Sequence, residues 1–243
     1  LQPCFLTNNL TFLHMKFFKF LFAALSIVVV SSCASLTGYQ DGRSLGEEAF
    51  EMTGSLNLSQ SPDFFFDDEE VLDNFFFPNI EIAGKYGATD KLDVGVKLNT
   101  NLNFSLTSKY QILGDRQSQT ALGIGADIGT FGLVSSLWNA QVPLYFSVHP
   151  SEKFTWYLTP RYIFQFAAAD LSTTIHYYGG NTGVLFGRKN KFGFDLGYYQ
   201  LSNFSSSAVD LITVGIGGRF VFGGKEEETL EDDSMKKKPR RRK

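Results

Sequence analysis

Beyond residue 33 the chain contains no cysteine; its two, Cys4 and Cys33, both precede the patterned body. A structural disulfide and a Cys-ligated zinc site are therefore excluded from that body. Histidine is almost as scarce, with three in 243 residues, and only His149 and His176 lie past the amino-terminal region. Charged residues are few, at 19 %, and nearly balanced at a net −3. After position 33 no apolar run approaches the roughly 18 residues that a membrane-spanning helix needs. What the chain has instead is 25 Phe, 23 Gly and an ordinary mean hydropathy of −0.07.

These residues are ordered by parity. In Phe154–Phe166 (FTWYLTPRYIFQF), Phe154, Trp156, Leu158, Pro160, Tyr162, Phe164 and Phe166 alternate with Thr155, Tyr157, Thr159, Arg161, Ile163 and Gln165. Successive strand residues face opposite sides, so this is a strand with one apolar, aromatic wall and one mostly polar wall. At about 3.3 Å per residue and a tilt of about 40°, it covers the roughly 30 Å of a bilayer core. Strands in soluble domains usually run about five or six residues. The same pattern recurs at 50–59, 75–86, 91–99, 102–113, 120–130, 138–148, 191–201 and 208–222, and less regularly at 175–187. The expectation is an all-β fold, an antiparallel up-and-down transmembrane β-barrel of about ten strands.

An even strand number puts both ends of the barrel on one side. Turns after Tyr86, Leu113, Val148 and Gly187 are short and polar, and those after Ser59, Gly129 and Phe166 are read as longer outer loops. Residues 50–222, and within them the strand-turn-strand segment KYGATDKLDVGVKL, resemble small Gram-negative outer-membrane β-barrel proteins. That resemblance implies an outer-membrane location with amino terminus and carboxyl tail periplasmic, contact with outer-membrane lipids, and insertion by barrel-assembly machinery. A soluble periplasmic barrel of the lipocalin kind, apolar face inward, is the competing architecture. Tyr86, Tyr110, Trp138, Trp156 and Tyr198 near strand ends suit an interfacial girdle and favour the membrane reading.

Residues 1–14 read as sequence upstream of the true start. Met15 opens a signal peptide (15–32) with Lys16 and Lys19, an apolar stretch from Phe20 to Val30 and then small residues. Val30-Ser31-Ser32-Cys33 resembles a bacterial lipobox, which implies lipidation of Cys33; an ordinary signal peptide cleaved near Ser32 or Ala34 is the alternative. Residues 33–49, with Gly38, Gly42 and Gly46, then read as a flexible lipidated tether. The barrel occupies 50–222, and 223–243 form a charged tail with almost no apolar residues, expected to be disordered. Its basic end looks like a nucleic-acid patch, but a secretion signal makes nucleic acid an implausible partner.

The polar face carries the candidate site residues: Glu51, Glu81, Asp93, Asp127, Asp195 and Asp210 against Lys85, Lys97, Lys109, Arg161 and Arg219. In so narrow a lumen, opposite charges meet and pair, which closes it. The expected function is non-enzymatic, structural or surface-contacting, with a narrow pore for small polar solutes, a lipocalin-like binding barrel or an outer-membrane enzyme as the alternatives. His149 is placed in a periplasmic turn, and His176, with Asp170, Ser172 and Thr173, near an outer loop. Nothing in the sequence fixes a base–nucleophile geometry among them. The 60–77 loop sets Asp63, Asp67, Asp68, Glu69, Glu70 and Asp73 between two Phe triplets and offers a contact for a surface partner. It lacks the alternate-ligand spacing of a calcium loop, and no metal or cofactor is expected.

Overall fold

In the computed structural model, residues 35–60, 76–131, 137–168, 170–202 and 209–224 are described. The signal peptide, Cys33, most of the acidic Phe-flanked loop and the charged tail lie outside the described residues. Ten antiparallel strands follow one another: β1 (Ala49–Gln60), β2 (Phe76–Gly87), β3 (Leu92–Asn99), β4 (Asn103–Leu113), β5 (Thr120–Phe131), β6 (Leu137–Ser151), β7 (Phe154–Ala167), β8 (Asp170–Phe186), β9 (Lys191–Ser202) and β10 (Val209–Gly223). Each strand pairs with its sequence neighbours, and β10 returns to β1, so the sheet is a closed barrel with no free edge. The closing seam is in register from Ala49↔Gly223 to Ser59↔Thr213.

Strand parity sorts the side chains as the alternation requires. Along β9 every second residue is buried, and along β7 Thr155, Tyr157, Thr159, Arg161 and Ile163 face inward while their neighbours face out. The outward face is apolar around the barrel: Leu56, Ile82, Val96, Leu106, Ile128, Val142, Leu158, Phe194 and Ile216 are all 40 % exposed or more. Tyr86, Tyr110, Trp138, Trp156 and Tyr198 face outward with them.

Three expectations change. β8 begins at Asp170, not Ile175, which shrinks the loop expected after Phe166 to residues 168–169. β6 continues to Ser151, so His149 is a strand residue and not part of a turn. The largest change concerns the tether: from Ser35 to Gly46 every described residue except Arg43 is buried. This segment runs inside the barrel, where glycine on the wall leaves it room. Gly123, Gly125, Gly129, Gly193, Gly197, Gly215 and Gly217 are all on inward-facing positions, and a wall without side chains cannot fill its own lumen.

Candidate functional site

The inserted segment is held by polar groups from eight strands. Most of these contacts are to its backbone. On the donor side, Gly38 N–H donates to Asp195 Oδ2 (3.2 Å), Tyr39 N–H to the Tyr157 hydroxyl (3.2 Å) and Gly42 N–H to Ser147 Oγ (2.9 Å). Further along, Ser44 N–H donates to Gln111 Oε1 (2.8 Å) and Leu45 N–H to Asp93 Oδ1 (3.0 Å). On the acceptor side, Arg161 donates to the carbonyls of Ser35 (3.0 Å) and Thr37 (2.9 Å), Asn181 to that of Leu36 (2.7 Å), and Lys109 to that of Arg43 (2.5 Å). Five buried amides and four buried carbonyls of the segment are thus satisfied by wall side chains, in place of the ladder a strand would supply.

Side chains of the segment add a second set of anchors. Leu36 packs with Ile163, Tyr177, Tyr199 and Leu211, and Tyr39 with Tyr157 and Leu185. Asp41 meets Arg219 Nη1 at 2.9 Å and Lys191 Nζ at 3.7 Å. The Ser35 and Thr37 hydroxyls both donate to Glu81. Two glycines are sterically necessary. A methyl group at Gly42 would run into the backbone carbonyl of Ala121, and one at Gly38 into the Asp195 carboxylate and the Tyr157 ring.

Of the lumen charges read from the sequence, Glu51, Glu81, Lys85, Asp93, Lys97, Lys109, Asp127, Arg161, Asp195 and Arg219 are all 6 % exposed or less. Wall-to-wall pairs join Lys85 to Glu51 (3.0 Å), Lys97 to Asp127 (3.1 Å), Lys109 to Asp93 (3.1 Å) and Arg219 to Glu51 (2.6 Å). The pairing expectation does not extend to Arg161, whose hydrogen bonds go to carbonyls of the segment and to Gln141 Oε1 (3.4 Å) rather than to a carboxylate. Asp195 accepts from Gly38, Tyr157 and Asn181, so neutral donors hold it. Asp210 is a correction. It is exposed, on the outer face beside Tyr198, whose hydroxyl donates to it at 2.9 Å. Its parity is that of Ile212, two residues on, and β10 is regular there, so its side chain points away from the lumen.

The two histidines sit at opposite ends of the strands. His149 is buried, with Nε2 2.9 Å from Ser147 Oγ and Nδ1 3.0 Å from Thr155 Oγ1. A hydroxyl beside an imidazole is the first requirement of a nucleophile–base pair, yet Ser147 is 0 % exposed and its Oγ also accepts from Gly42, under the inserted segment. His176 faces outward in an aromatic cluster, its Nδ1 2.7 Å from the Tyr162 hydroxyl, with Tyr178 and Phe164 alongside. The side chains of Asp170, Ser172 and Thr173 lie outside the described residues.

Asp41, Lys191, Tyr157 and Asn181 were not singled out in the sequence. The signal for Lys191 was present, since it shares parity with Gly193 and Asp195, and it donates to Thr155 Oγ1 at 2.8 Å. At the rim where β1 begins, the 114–119 turn is held locally. Hydrogen bonds to Asp115 from the Ser118 hydroxyl (2.9 Å) and the Gln117 amide (2.8 Å) hold its carboxyl below the usual range.

No family model matches the chain, and no curated protein matches it. Among solved structures, it is similar to an outer membrane channel from Pseudomonas putida F1, at 12 % identity and a TM-score of 0.45, over 76 % of this chain and 100 % of that one. The outer membrane protease OmpT from Escherichia coli is 10 % identical with a TM-score of 0.39, over 79 % and 99 % of the two chains. The N-terminal β-barrel domain of Pseudomonas aeruginosa OprF is 12 % identical with a TM-score of 0.32, over 73 % and 99 %. Likenesses at this level carry no conclusion about activity or substrate. The fold rests on the closed ten-strand topology itself.

Proposed function

We propose that this protein is a non-enzymatic outer-membrane β-barrel whose lumen is closed by its own residues 35–48, with a structural or surface-contact role. The observation that carries the reading is the inserted segment, bonded to the wall from Ser35 to Leu45. The membrane location is supported by the continuous apolar outer face, because a soluble monomer rarely exposes an apolar patch beyond a few hundred Å². A lipocalin-like arrangement needs the apolar face inward, and here the polar face is inward. For orientation, the start of β1 and the end of β10 share one rim, and the longest connection, 61–75, joins strands at the other. That supports a periplasmic start for β1, a periplasmic tail and an outer 60–77 loop as the contact for a surface partner, as bacterial barrels are arranged, while the chain before β1 runs from that rim into the lumen as far as Ser35, level with Glu81 and Arg161 at mid-strand.

Planar-bilayer recording on the full chain tests the closure. Little or no stepwise conductance is the expected result, and stable, ohmic, ion-selective steps would overturn it in favour of a pore. A second reading, a pore opened when the segment withdraws, is favoured by one observation. Arg161 and Lys191 draw much of their partnering from the segment and would face an open lumen without it.

A further inference from the structure

The contacts that hold residues 35–48 share a property that an ordinary core lacks: the wall is written largely in terms of main-chain groups. Five amides, at Gly38, Tyr39, Gly42, Ser44 and Leu45, donate to wall side chains, and the carbonyls of Ser35, Leu36, Thr37 and Arg43 accept from them. The wall residues that reach the main chain come from six strands, Asp93 on β3, Gln111 and Lys109 on β4, Ser147 on β6, Tyr157 and Arg161 on β7, Asn181 on β8 and Asp195 on β9, with β2 and β10 contributing through Glu81 and Arg219 to side chains. Main-chain hydrogen bonds give an extended peptide its affinity, and pockets for a few side chains give it specificity. Here those pockets are the apolar one around Leu36, the slot between Tyr157 and Leu185 that takes Tyr39, and the Arg219–Lys191 pair that takes the Asp41 carboxylate. Gly42 lies close against rigid backbone, the carbonyls of Ala121 and Tyr145.

Such a surface recognises a polypeptide as a ligand and does not need the ligand to be covalently joined to β1. The join to β1 lies at the rim, where Glu48 is exposed: Glu48 N–H bonds Gly87 O at 3.0 Å and Ala49 N–H bonds Gly46 O at 3.2 Å. Resting on the closed-lumen reading above, we infer that the lumen is a binding site for a polypeptide segment in the bent course that residues 35–48 take, with Tyr39 at φ +42°. Residues 35–48 occupy it in cis, and a chain with a small residue at the Gly42 position, an aromatic at the Tyr39 position and an acid at the Asp41 position binds it in trans.

The test cuts the link after folding. A protease site is inserted between Gly46 and Ala49 of the full chain, the folded protein is cleaved in detergent, and a fluorescent synthetic peptide of residues 35–48 is added. The expected result is either that the severed segment stays with the barrel through size exclusion or that the labelled peptide replaces it to about one per barrel. The uncut chain takes up no label. A peptide carrying Gly42→Val is expected to compete about fivefold more weakly or worse, since overpacking a tight site costs at least that factor. Loss of the severed segment with no uptake of labelled peptide overturns the inference, as does equal competition by the Gly42→Val peptide. Conductance of the uncut chain judges the closed-lumen reading separately, so the two can fail independently.

Discussion

A charge inside this barrel is worth what its partners are worth, and those differ from one cation to the next. Arg219 bridges Glu51 at 2.6 Å and Asp41 at 2.9 Å, with all three groups buried. Arg219→Ala leaves two buried carboxylates short of a partner, a loss of about 3–5 kcal/mol when nothing replaces it. Lys85 on Glu51 and Lys191 on Asp41 soften that toward the lower end. Arg161→Ala instead strands two carbonyls of the inserted segment, each worth about 1–3 kcal/mol of desolvation. Chemical denaturation is expected to show Arg219→Ala as the larger loss for the barrel. Limited proteolysis is expected to show Arg161→Ala as the variant that exposes residues 35–48. Asp210→Ala, on the outer face, should stay within about 0.5 kcal/mol of the parent. Ten of the eleven charges on the lumen wall were legible because parity is a strict period of two; Lys191, which shares that parity, completes the eleven. Asp41 was not, because no strand pattern reaches a segment that makes no ladder.

At the scale of the element, the strands were legible almost to their ends, since each buries only one face and so writes alternation into the sequence. The misjudged ends, at Asp170 and Ser151, fall where a strand runs past its apolar partners. Val94 and Leu158 are each 40 % exposed on the outer face, and Thr159 is 0 % exposed in the lumen. Lys or Arg on the lipid face at the midplane costs about 2–4 kcal/mol, so Val94→Arg and Leu158→Arg are expected to impair assembly, measured as loss of heat-modifiable migration. Thr159→Arg is expected to spare the strand pairing and to expel the inserted segment, for which a filled lumen has no room, making that segment protease-sensitive. Equal assembly defects in all three would contradict the inward and outward assignment. The inserted segment is hidden in the sequence because its glycines read as conformational freedom. Gly38 and Gly42 serve the opposite end, close approach to a wall, and the wall's own glycines were the clue that something else had to fill the lumen.

For the whole molecule, the question is what the barrel becomes without its contents. The wall facing the lumen carries Lys85, Lys97, Lys109, Arg161, Lys191 and Arg219 against Glu51, Glu81, Asp93, Asp127 and Asp195, all buried with the segment in place. The bases exceed the acids by one. Four wall pairs, Lys85–Glu51, Lys97–Asp127, Lys109–Asp93 and Arg219–Glu51, do not involve the segment and survive its loss. The groups set free lie on both sides of the balance: Arg161 and Lys191 among the cations, Glu81 and Asp195 among the anions. A full chain lacking only residues 35–46 is therefore expected to give small, steady conductance steps in planar bilayers where the parent gives almost none. With a near-neutral wall, its reversal potential in a salt gradient should lie close to zero, shifted slightly toward anion preference. Strong cation selectivity would mean that the freed carboxylates dominate the path. No conductance at all, from a variant that still shows heat-modifiable migration, would mean that the wall collapses onto the space the segment leaves.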